Sequence, residues 1–302
     1  MAHSTPYRIK SITEIHRLMG LAKPQHPLIG LINLAGLQAH ESIKVVCFDL
    51  YVISLKRNCD KLHYGQQRYD FDEGLMAFMS PGQLLRGEED GPSQNLEGWM
   101  LFIHPDFLWN TILAKKIKQY DFFDYATHEA LFLSDKEETL INGIVENIKN
   151  EYESNIDKFS QDIIVSHLET LLNYAERFYQ RQFITRKKSN HQILDRLETL
   201  LSDYFNDDDL ISKGLPTVQY ISEHLHVSPS YLRGLLKSLT GQSTQQLIHE
   251  KLIEKAKEKL STTDLTVSEI AYELGFEHLQ SFSKLFKTKT QLSPLEFRQS
   301  FN

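Results

Sequence analysis

The C-terminal third of the chain carries one pattern twice, and a duplicated pattern constrains the fold more tightly than composition can. Thr217-Val-Gln-Tyr-Ile-Ser-Glu-His-Leu-His-Val-Ser-Pro-Ser-Tyr-Leu-Arg-Gly-Leu-Leu-Lys237 runs parallel to Thr266-Val-Ser-Glu-Ile-Ala-Tyr-Glu-Leu-Gly-Phe276 and the Ser281-Phe-Ser-Lys-Leu-Phe-Lys287 that follows. Val218, Ile221 and Leu225 match Val267, Ile270 and Leu274 at an offset of 49. After the turn, Leu232, Leu235, Leu236 and Lys237 match Phe282, Leu285, Phe286 and Lys287 at an offset of 50. One residue is inserted at the turn and the apolar positions otherwise keep step. A short helix, a tight turn and a second helix, present twice, predict a pair of helix-turn-helix units.

Local physics supports each copy. Val218, Ile221 and Leu225 have the i, i+3, i+7 spacing that lines one helical face. The turns fall at His226 and Gly275, where glycine tolerates the left-handed backbone that ends a helix. Ser228 followed by Pro229 reads as an N-cap with proline at the first helical position. Leu232, Leu235, Leu236 and Leu239 then form a buried stripe, leaving Ser230, Tyr231, Arg233, Gly234 and Lys237 wholly or partly outside. In the second copy Phe282, Leu285 and Phe286 are the stripe, with Gln280, Ser281, Lys284 and Lys287 outside. Between the copies, Ile248, Leu252, Ala256 and Leu260 recur at i+4 in a helix expected from Ser243 to Leu260. At about 1.5 Å per residue it spans roughly 27 Å. That is close to the ~34 Å helical repeat separating successive major-groove sites on one face of B-DNA. The strut can present two recognition helices to neighbouring grooves.

The stretches Ile270-Ala-Tyr-Glu-Leu-Gly-Phe276, Ser281-Phe-Ser-Lys-Leu-Phe-Lys287 and Leu292-Ser-Pro-Leu-Glu-Phe-Arg298 closely resemble the signature of AraC/XylS-type transcription regulators. Leu235-Leu-Lys-Ser-Leu-Thr-Gly-Gln-Ser243 is similar to the end of that family's first motif. The resemblance covers roughly residues 191–300 and implies an all-helical DNA-binding domain, with helix-turn-helix motifs at about 217–239 and 266–289. It adds a helix at about His191 to Phe205 and a closing helix after Ser293-Pro294. It further implies a bacterial regulator that binds double-stranded promoter DNA and works with RNA polymerase. Carried onto this sequence, its base-facing positions fall on Ser230, Arg233 and Gly234 and on Leu279, Gln280 and Lys284. Ser281 and Lys287 fall beside the phosphate backbone, and Ser228, Tyr231 and Lys237 complete the expected DNA-binding set. Arg233 and Lys284 can hydrogen-bond guanine edges, Gln280 suits adenine, and Leu279 offers apolar contact to a thymine methyl. Gly234 departs from the long or basic residue often found at its position. Phe276, Phe282 and Phe286 read as core rather than as a platform for bases.

The chain has 33 Lys+Arg against 40 Asp+Glu, a formal net charge of −7. An acidic total argues against indiscriminate nucleic-acid binding and for a positive surface confined to one face. Asp207-Asp-Asp209 reads as a solvated acidic turn before the first motif. At 302 residues the chain can hold two domains with separate cores. No apolar run is long enough to span a bilayer and none resembles a signal peptide, so a cytoplasmic protein without a membrane partner is expected. Cys47 and Cys59 are not a close-spaced pair, and Cys47, in an apolar strand, reads as a buried reduced thiol.

The N-terminal part has a different texture. Val45–Leu55 is rich in β-branched and aromatic residues and ends at the turn signal Asn58-Cys-Asp60. Leu75–Met79 follows Asp72-Glu-Gly74 and stops at Pro81-Gly82; Trp99–Ile103 is ended by His104-Pro-Asp106. Short strands with turn signals predict an antiparallel barrel or jelly roll. Ser134-Asp-Lys-Glu137 is a capping box opening a helix to about Tyr152. Ile164, Leu168, Leu171, Ala175 and Phe178 stripe a second helix from about Ser160 to Gln182. Thr185-Arg-Lys-Lys-Ser-Asn190 reads as an interdomain linker. The expected plan is therefore α+β: a barrel over 1–133, a helical connector over 134–184, a linker over 185–190 and the DNA-binding domain over 191–302. This order is similar to the cupin-like sensor arrangement of many AraC-type regulators, in which the barrel holds a small effector and a following helix often dimerises. The Ile164–Phe178 stripe is then either a homodimer seam or packing on the chain's own barrel.

Enzymatic readings find less support. Catalytic cupins hold a metal through His-x-His on one strand with a nearby glutamate and a further histidine. His63 and His104 are isolated at strand ends and read as surface or capping histidines. Neither a Gly-rich phosphate loop nor a Gly-x-Ser-x-Gly nucleophile turn occurs. The repair methyltransferases that carry this DNA-binding domain need a reactive cysteine, and neither Cys47 nor Cys59 sits in a matching motif. The sequence thus predicts a sequence-specific one-component transcription regulator, neither an enzyme nor a cofactor protein, responding to an effector of unknown identity. The alternatives are a metal-dependent cupin enzyme targeted to DNA and a regulator switched by a protein partner.

Overall fold

The computed structural model describes residues 6–35, 45–57, 74–86, 97–126, 128–154, 157–207 and 210–300, the side chains of 187–189, 211 and 212 excepted. The chain divides into two compact units, residues 1–182 and 183–302. Asn58-Cys-Asp60, His63 and most of the acidic turn at 207–209 lie outside the described residues.

The N-terminal unit is mixed α+β. It runs β1 (Tyr7–Ile9), α1 (Ile12–Leu18), β2 (Ile29–Asn33), β3 (Val45–Phe48), β4 (Tyr51–Arg57) and β5 (Gly74–Met79). Then come β6 (Leu84–Arg86), β7 (Glu97–Ile103), α2 (Leu113–Lys116) and β8 (Leu131–Leu133). Among the described residues the strands make two sheets, β1-β3-β6 and β2-β7-β4-β5-β8. No ladder among the described residues closes them into one barrel, and β1 pairs with β3 in parallel where an antiparallel arrangement was expected. The strand expected over 45–55 is two strands in different sheets. The break falls at Asp49-Leu50, where the Asp49 amide donates to Ile9 O at 2.9 Å and its carboxylate accepts from Arg8 Nε at 2.8 Å. That carboxylate raises the pKa of the Arg8 guanidinium by hydrogen bonding and by charge. Cys47, expected to be buried, is half-buried on β3.

Two helices follow, α3 (Asp135–Glu153) and α4 (Ser160–Thr185). The capping box at the start of α3 is present: the Ser134 amide donates to Glu137 Oε2 at 2.9 Å. The helix meets the five-stranded sheet through polar bonds. Arg57 of β4 donates through Nε and Nη2 to the two Glu138 oxygens, both at 2.8 Å, and Trp99 Nε1 donates to Asn142 Oδ1 at 2.8 Å. Gly74 makes this approach possible, because a Cβ there would lie 2.9 Å from Glu138 Cδ. Further on, buried Gln182 satisfies β8, accepting from the Phe132 amide at 2.9 Å and donating to Ala130 O at 3.1 Å.

These contacts decide between the two readings of the α4 stripe. Ile164 is 2% exposed, Leu168, Leu171 and Ala175 are 0%, and Phe178 is 6%. The stripe is therefore internal packing, and the homodimer expected through it needs another surface. Sequence periodicity left this open because a buried seam and an internal face have the same spacing.

The C-terminal unit is helical and holds one continuous core. Its elements are α5 (Lys187–Asn206), α6 (Leu210–Lys213), α7 (Val218–Leu225), α8 (Pro229–Thr240) and α9 (Thr244–Thr262). These are followed by α10 (Val267–Glu273), α11 (Leu279–Thr290) and α12 (Pro294–Gln299). The helix expected from His191 starts at Lys187, so the polar 185–190 segment is helical on both sides of Arg186. Lysine and arginine are good helix formers, so a basic, polar composition need not interrupt a helix. Leu232 and Leu236 from the first copy, Ile248, Leu252 and Ala256 from the strut, and Phe282 and Phe286 from the second copy share one core.

Candidate nucleic-acid interface

The duplication seen in sequence holds in backbone detail and extends one helix further. Thr217 and Thr266 are N-caps whose hydroxyls accept from Tyr220 N and Glu269 N. His226 (φ 57) and Gly275 (φ 81) are both left-handed. Each is followed by the same six-residue closure, Val227 N to Ser222 O and Phe276 N to Ala271 O, both 3.0 Å. The residue types differ for a steric reason. A Cβ at Gly275 would lie 3.0 Å from the Gly214 carbonyl carbon, whereas position 226 already carries an imidazole in the same conformation. Beyond α8 and α11, Gly241 (φ 72) and Gln291 (φ 65) are again left-handed equivalents. Ser243 and Ser293 then open α9 and α12 with matching capping boxes. The strut α9 is thus the counterpart of the closing helix α12, and each repeat is a three-helix unit.

At nineteen residues α9 is about 28 Å long. Its apolar face, Ile248, Leu252, Ala256 and Leu260, is buried as expected. Two ties fix its far end: Lys259 Nζ to Glu273 Oε2 at 2.7 Å and Arg298 Nε to Leu260 O at 3.2 Å.

Most of the expected DNA-facing side chains are at the surface of α8 and α11. Arg233, Lys237, Gln280, Ser281, Lys284 and Lys287 are exposed; Ser228, Ser230 and Gly234 are half-buried. Ser228 Oγ is occupied as the N-cap of α8, accepting from Tyr231 N at 3.1 Å. Arg233 Nη2 donates to Ser230 Oγ at 3.2 Å across one turn. One residue, Tyr231, is buried where the sequence reading put it wholly or partly outside. Tyr231 is 5% exposed, its ring packed edge-on against Phe183 at 5.1 Å. Leu279 is half-buried and packs on the core. Both flank an apolar stripe, so a small rotation of the helix decides between core and surface. Phe276, Phe282 and Phe286 are core as expected, and with half-buried Phe297 they form a chain of ring contacts at 5.4, 5.8 and 5.4 Å.

Charge is distributed to suit a polyanion. Residues 183–302 carry fifteen Lys+Arg and fifteen Asp+Glu, so the net charge of −7 resides in the N-terminal unit. Neither α8 nor α11 contains an acidic residue, while together they hold Arg233, Lys237, Lys284, Lys287 and Lys289. Among the described residues Lys237, Lys284 and Lys287 make no ion pair. Lys289 differs, pairing with Glu250 Oε1 of α9 at 3.6 Å. Sequence reasoning missed this pair, because nothing in the heptad-like spacing brings positions 250 and 289 together.

Of the two isolated histidines, only His104 lies among the described residues. His104 Nδ1 accepts from the Asp106 amide at 3.2 Å, making it a capping histidine. Among the described residues no group of three or more His, Cys, Asp or Glu is placed to hold a metal ion. Nor is any helix there long and apolar enough to cross a membrane.

Comparison with known proteins agrees with this geometry. Residues 221–300 match the family described as a helix-turn-helix domain. Over 146 residues the chain is 29% identical to YfiF of Bacillus subtilis (strain 168), an uncharacterized HTH-type transcriptional regulator, covering 48% of this chain and 43% of that protein. Over 84 residues it is 36% identical to the raffinose operon transcriptional regulatory protein RafR of Pediococcus pentosaceus, covering 28% and 30%. Among solved structures, it is similar to the C-terminal domain of the two-component response regulator yesN from Fusobacterium nucleatum subsp. nucleatum ATCC 25586. That match is 31% identical, covers 34% of this chain and 95% of the other, and has a TM-score of 0.31. The chain spans less than half the length of these curated relatives. The C-terminal segment carries a helix-turn-helix domain. The relatives that share it are transcription regulators, not enzymes.

Proposed function

We propose that the chain is a sequence-specific transcription regulator whose residues 191–302 read promoter DNA and whose N-terminal unit responds to a small-molecule effector. The observation that carries the DNA reading is the pair of acid-free recognition helices α8 and α11 presented on one core. In this reading Arg233, Gln280 and Lys284 contact base edges, and Lys237, Ser281 and Lys287 contact phosphates. Tyr231 and Leu279 hold the helices in place. One chain carries both readers, so a bipartite site needs no second copy. RNA polymerase is the partner through which bound protein changes transcription.

Support for effector sensing comes from three clefts of about 480, 570 and 610 Å³ in the N-terminal unit. All three touch Tyr152, whose hydroxyl accepts from the Leu31 amide on β2 at 3.3 Å. The second is also lined by His16, whose Nδ1 donates to Ala22 O at 2.6 Å while its buried Nε2 has no partner among the described residues. An unmatched buried acceptor costs stability that a donor on a ligand would recover.

The test is a genome-wide map of bound sites, followed by a metabolite screen read by thermal shift. Recurrent bipartite sequences upstream of transcribed units and a ligand that both raises the melting temperature and changes affinity for those sites are expected. A map without sequence preference would overturn the DNA reading. A screen without any hit, together with regulation that follows a co-purifying protein, would overturn the effector reading.

A further inference from the structure

The carboxylate of Glu250 stands where the C-terminal ends of both recognition helices meet the strut. Gln242 lies immediately after the α8 cap Gly241, and its Nε2 donates to Glu250 Oε1 at 2.8 Å and to Oε2 at 2.7 Å. Lys289 lies in the last turn of α11, and its Nζ pairs with Glu250 Oε1 at 3.6 Å. The pKa of His249, which precedes Glu250 on α9, is lowered by burial and then by the charge of Lys289.

We propose that Glu250 is a positioning residue that fixes the relative setting of the two recognition helices and so the spacing of the two half-sites the protein accepts. The proposal rests on the DNA reading above. The shared apolar core holds both repeats against α9, but apolar contacts are non-directional and permit small rotations. The hydrogen bonds from Gln242 to the carboxylate are directional and charge-assisted, about twice as strong as neutral ones, and the ion pair with Lys289 draws the end of α11 to the same carboxylate. A lever argument gives the consequence. Base readout needs donors placed to within a few tenths of an ångström, so a few degrees of rotation at the C-terminal end of α11 misplaces Lys284 one turn away. The same pair explains why Lys289 is set apart from Lys284 and Lys287: its charge is turned back to the strut. No step of base recognition passes through Glu250 itself, and its effect is confined to sites that engage both helices.

The experiment uses the full chain and the bipartite sequence that wild-type protein selects from a random pool. Affinity is measured for that site, for versions with one base pair inserted or removed between the halves, and for a fragment holding one half-site. Wild-type protein should lose affinity steeply when the spacing changes, because one base pair turns the second half-site by about a tenth of a helical repeat. Glu250→Ala should lose about tenfold on the optimal site, the scale of a charge-assisted bond, and bind the altered spacings nearly as well as the optimal one. Its single half-site affinity should equal wild type. Glu250→Gln, which keeps an acceptor for Gln242, should recover part of the spacing preference. Lys289→Ala should show the same flattening and gives an independent reading if Glu250→Ala does not fold.

Spacing profiles of Glu250→Ala and Lys289→Ala that superimpose on wild type would overturn the inference. So would a uniform gain in affinity at every spacing with a steeper salt dependence, since that is the signature of a removed negative charge. A wild-type protein that binds one half-site as tightly as two would instead overturn the DNA reading on which the inference rests.

Discussion

Replacing Leu168 and Leu171 by glutamate tests how the N-terminal unit is built. Both side chains are 0% exposed on the inner face of α4. Removing a buried leucine costs about 2–5 kcal/mol even when alanine replaces it. A glutamate in the same space adds the cost of an unpaired charge, or of holding the carboxyl protonated. With a pKa raised by about 3 units, that is roughly 4 kcal/mol per site at neutral pH. The double variant therefore loses on the order of 12–18 kcal/mol, at or beyond the ~5–15 kcal/mol that stabilises an ordinary domain. The N-terminal unit should unfold, while the helices of 183–302, which share a core of their own, keep their ellipticity. Leu168→Ala is the graded version. At about 2–4 °C per kcal/mol for a unit of this size, it should lower the N-terminal melting temperature by roughly 5–20 °C. Circular dichroism, size-exclusion chromatography with light scattering and DNA affinity read the outcome together. A double variant that is a folded monomer with both units intact and weaker DNA binding would show the stripe to be an intersubunit seam. A folded protein with unchanged oligomeric state would refute the packing argument altogether.

Three further expectations concern the C-terminal unit. Arg233→Ala or Lys284→Ala should cost about 1–3 kcal/mol on the cognate site and relax sequence preference there, whereas Lys287→Ala should weaken all sequences alike and reduce the salt slope by about one; titrations of cognate and scrambled duplexes at several salt concentrations distinguish these effects. His226→Gly should raise the stability of a 183–302 fragment by a few tenths to about 1 kcal/mol, because the left-handed backbone strains any residue with a Cβ while glycine costs more unfolded-chain entropy. Gly275→Ala should do the reverse, since its φ is 81° and Gly214 blocks the Cβ, and denaturant melts of the two fragments check both. The carboxylates of Glu269 and Glu296 have pKa values below the ordinary 4.5, chiefly because each accepts the N-cap backbone amide, of Thr266 and Ser293 respectively. A depressed folded-state value stabilises above the unfolded pKa and is lost as pH falls through the folded one. The fragment should therefore lose stability as pH drops below about 4.5, with Glu269→Gln and Glu296→Gln flattening that slope.

The legible part of this protein was its repeating part. Helix spacing, N-caps such as Ser228 and Thr266, and turn residues such as Gly275 act within a few residues of themselves, so the local chain states them. That is why both helix-turn-helix units, the strut and the Ser134 capping box could be read before any coordinates. Surface cations on a helix with a clear apolar stripe follow by subtraction, which places Arg233, Lys284 and Lys287 outside; their expected DNA contacts come from the family resemblance. Residues on the margin of a stripe do not follow, and Tyr231 turned inward because its neighbours, not its own spacing, set the helix rotation. In the N-terminal unit the sequence by itself determined that the two long helices, α3 and α4, follow the strands, while the short α1 and α2 among the strands were not legible. Tertiary structure decided that Asp49 splits one strand between two sheets, that Gly74 admits Glu138, and that the α4 stripe is buried within its own unit. Glu250, Gln242 and Lys289 belong to the same class. Periodicity records which residues seek burial or solvent, while pairing across 8 or 39 positions is fixed only when the core brings the helix ends together.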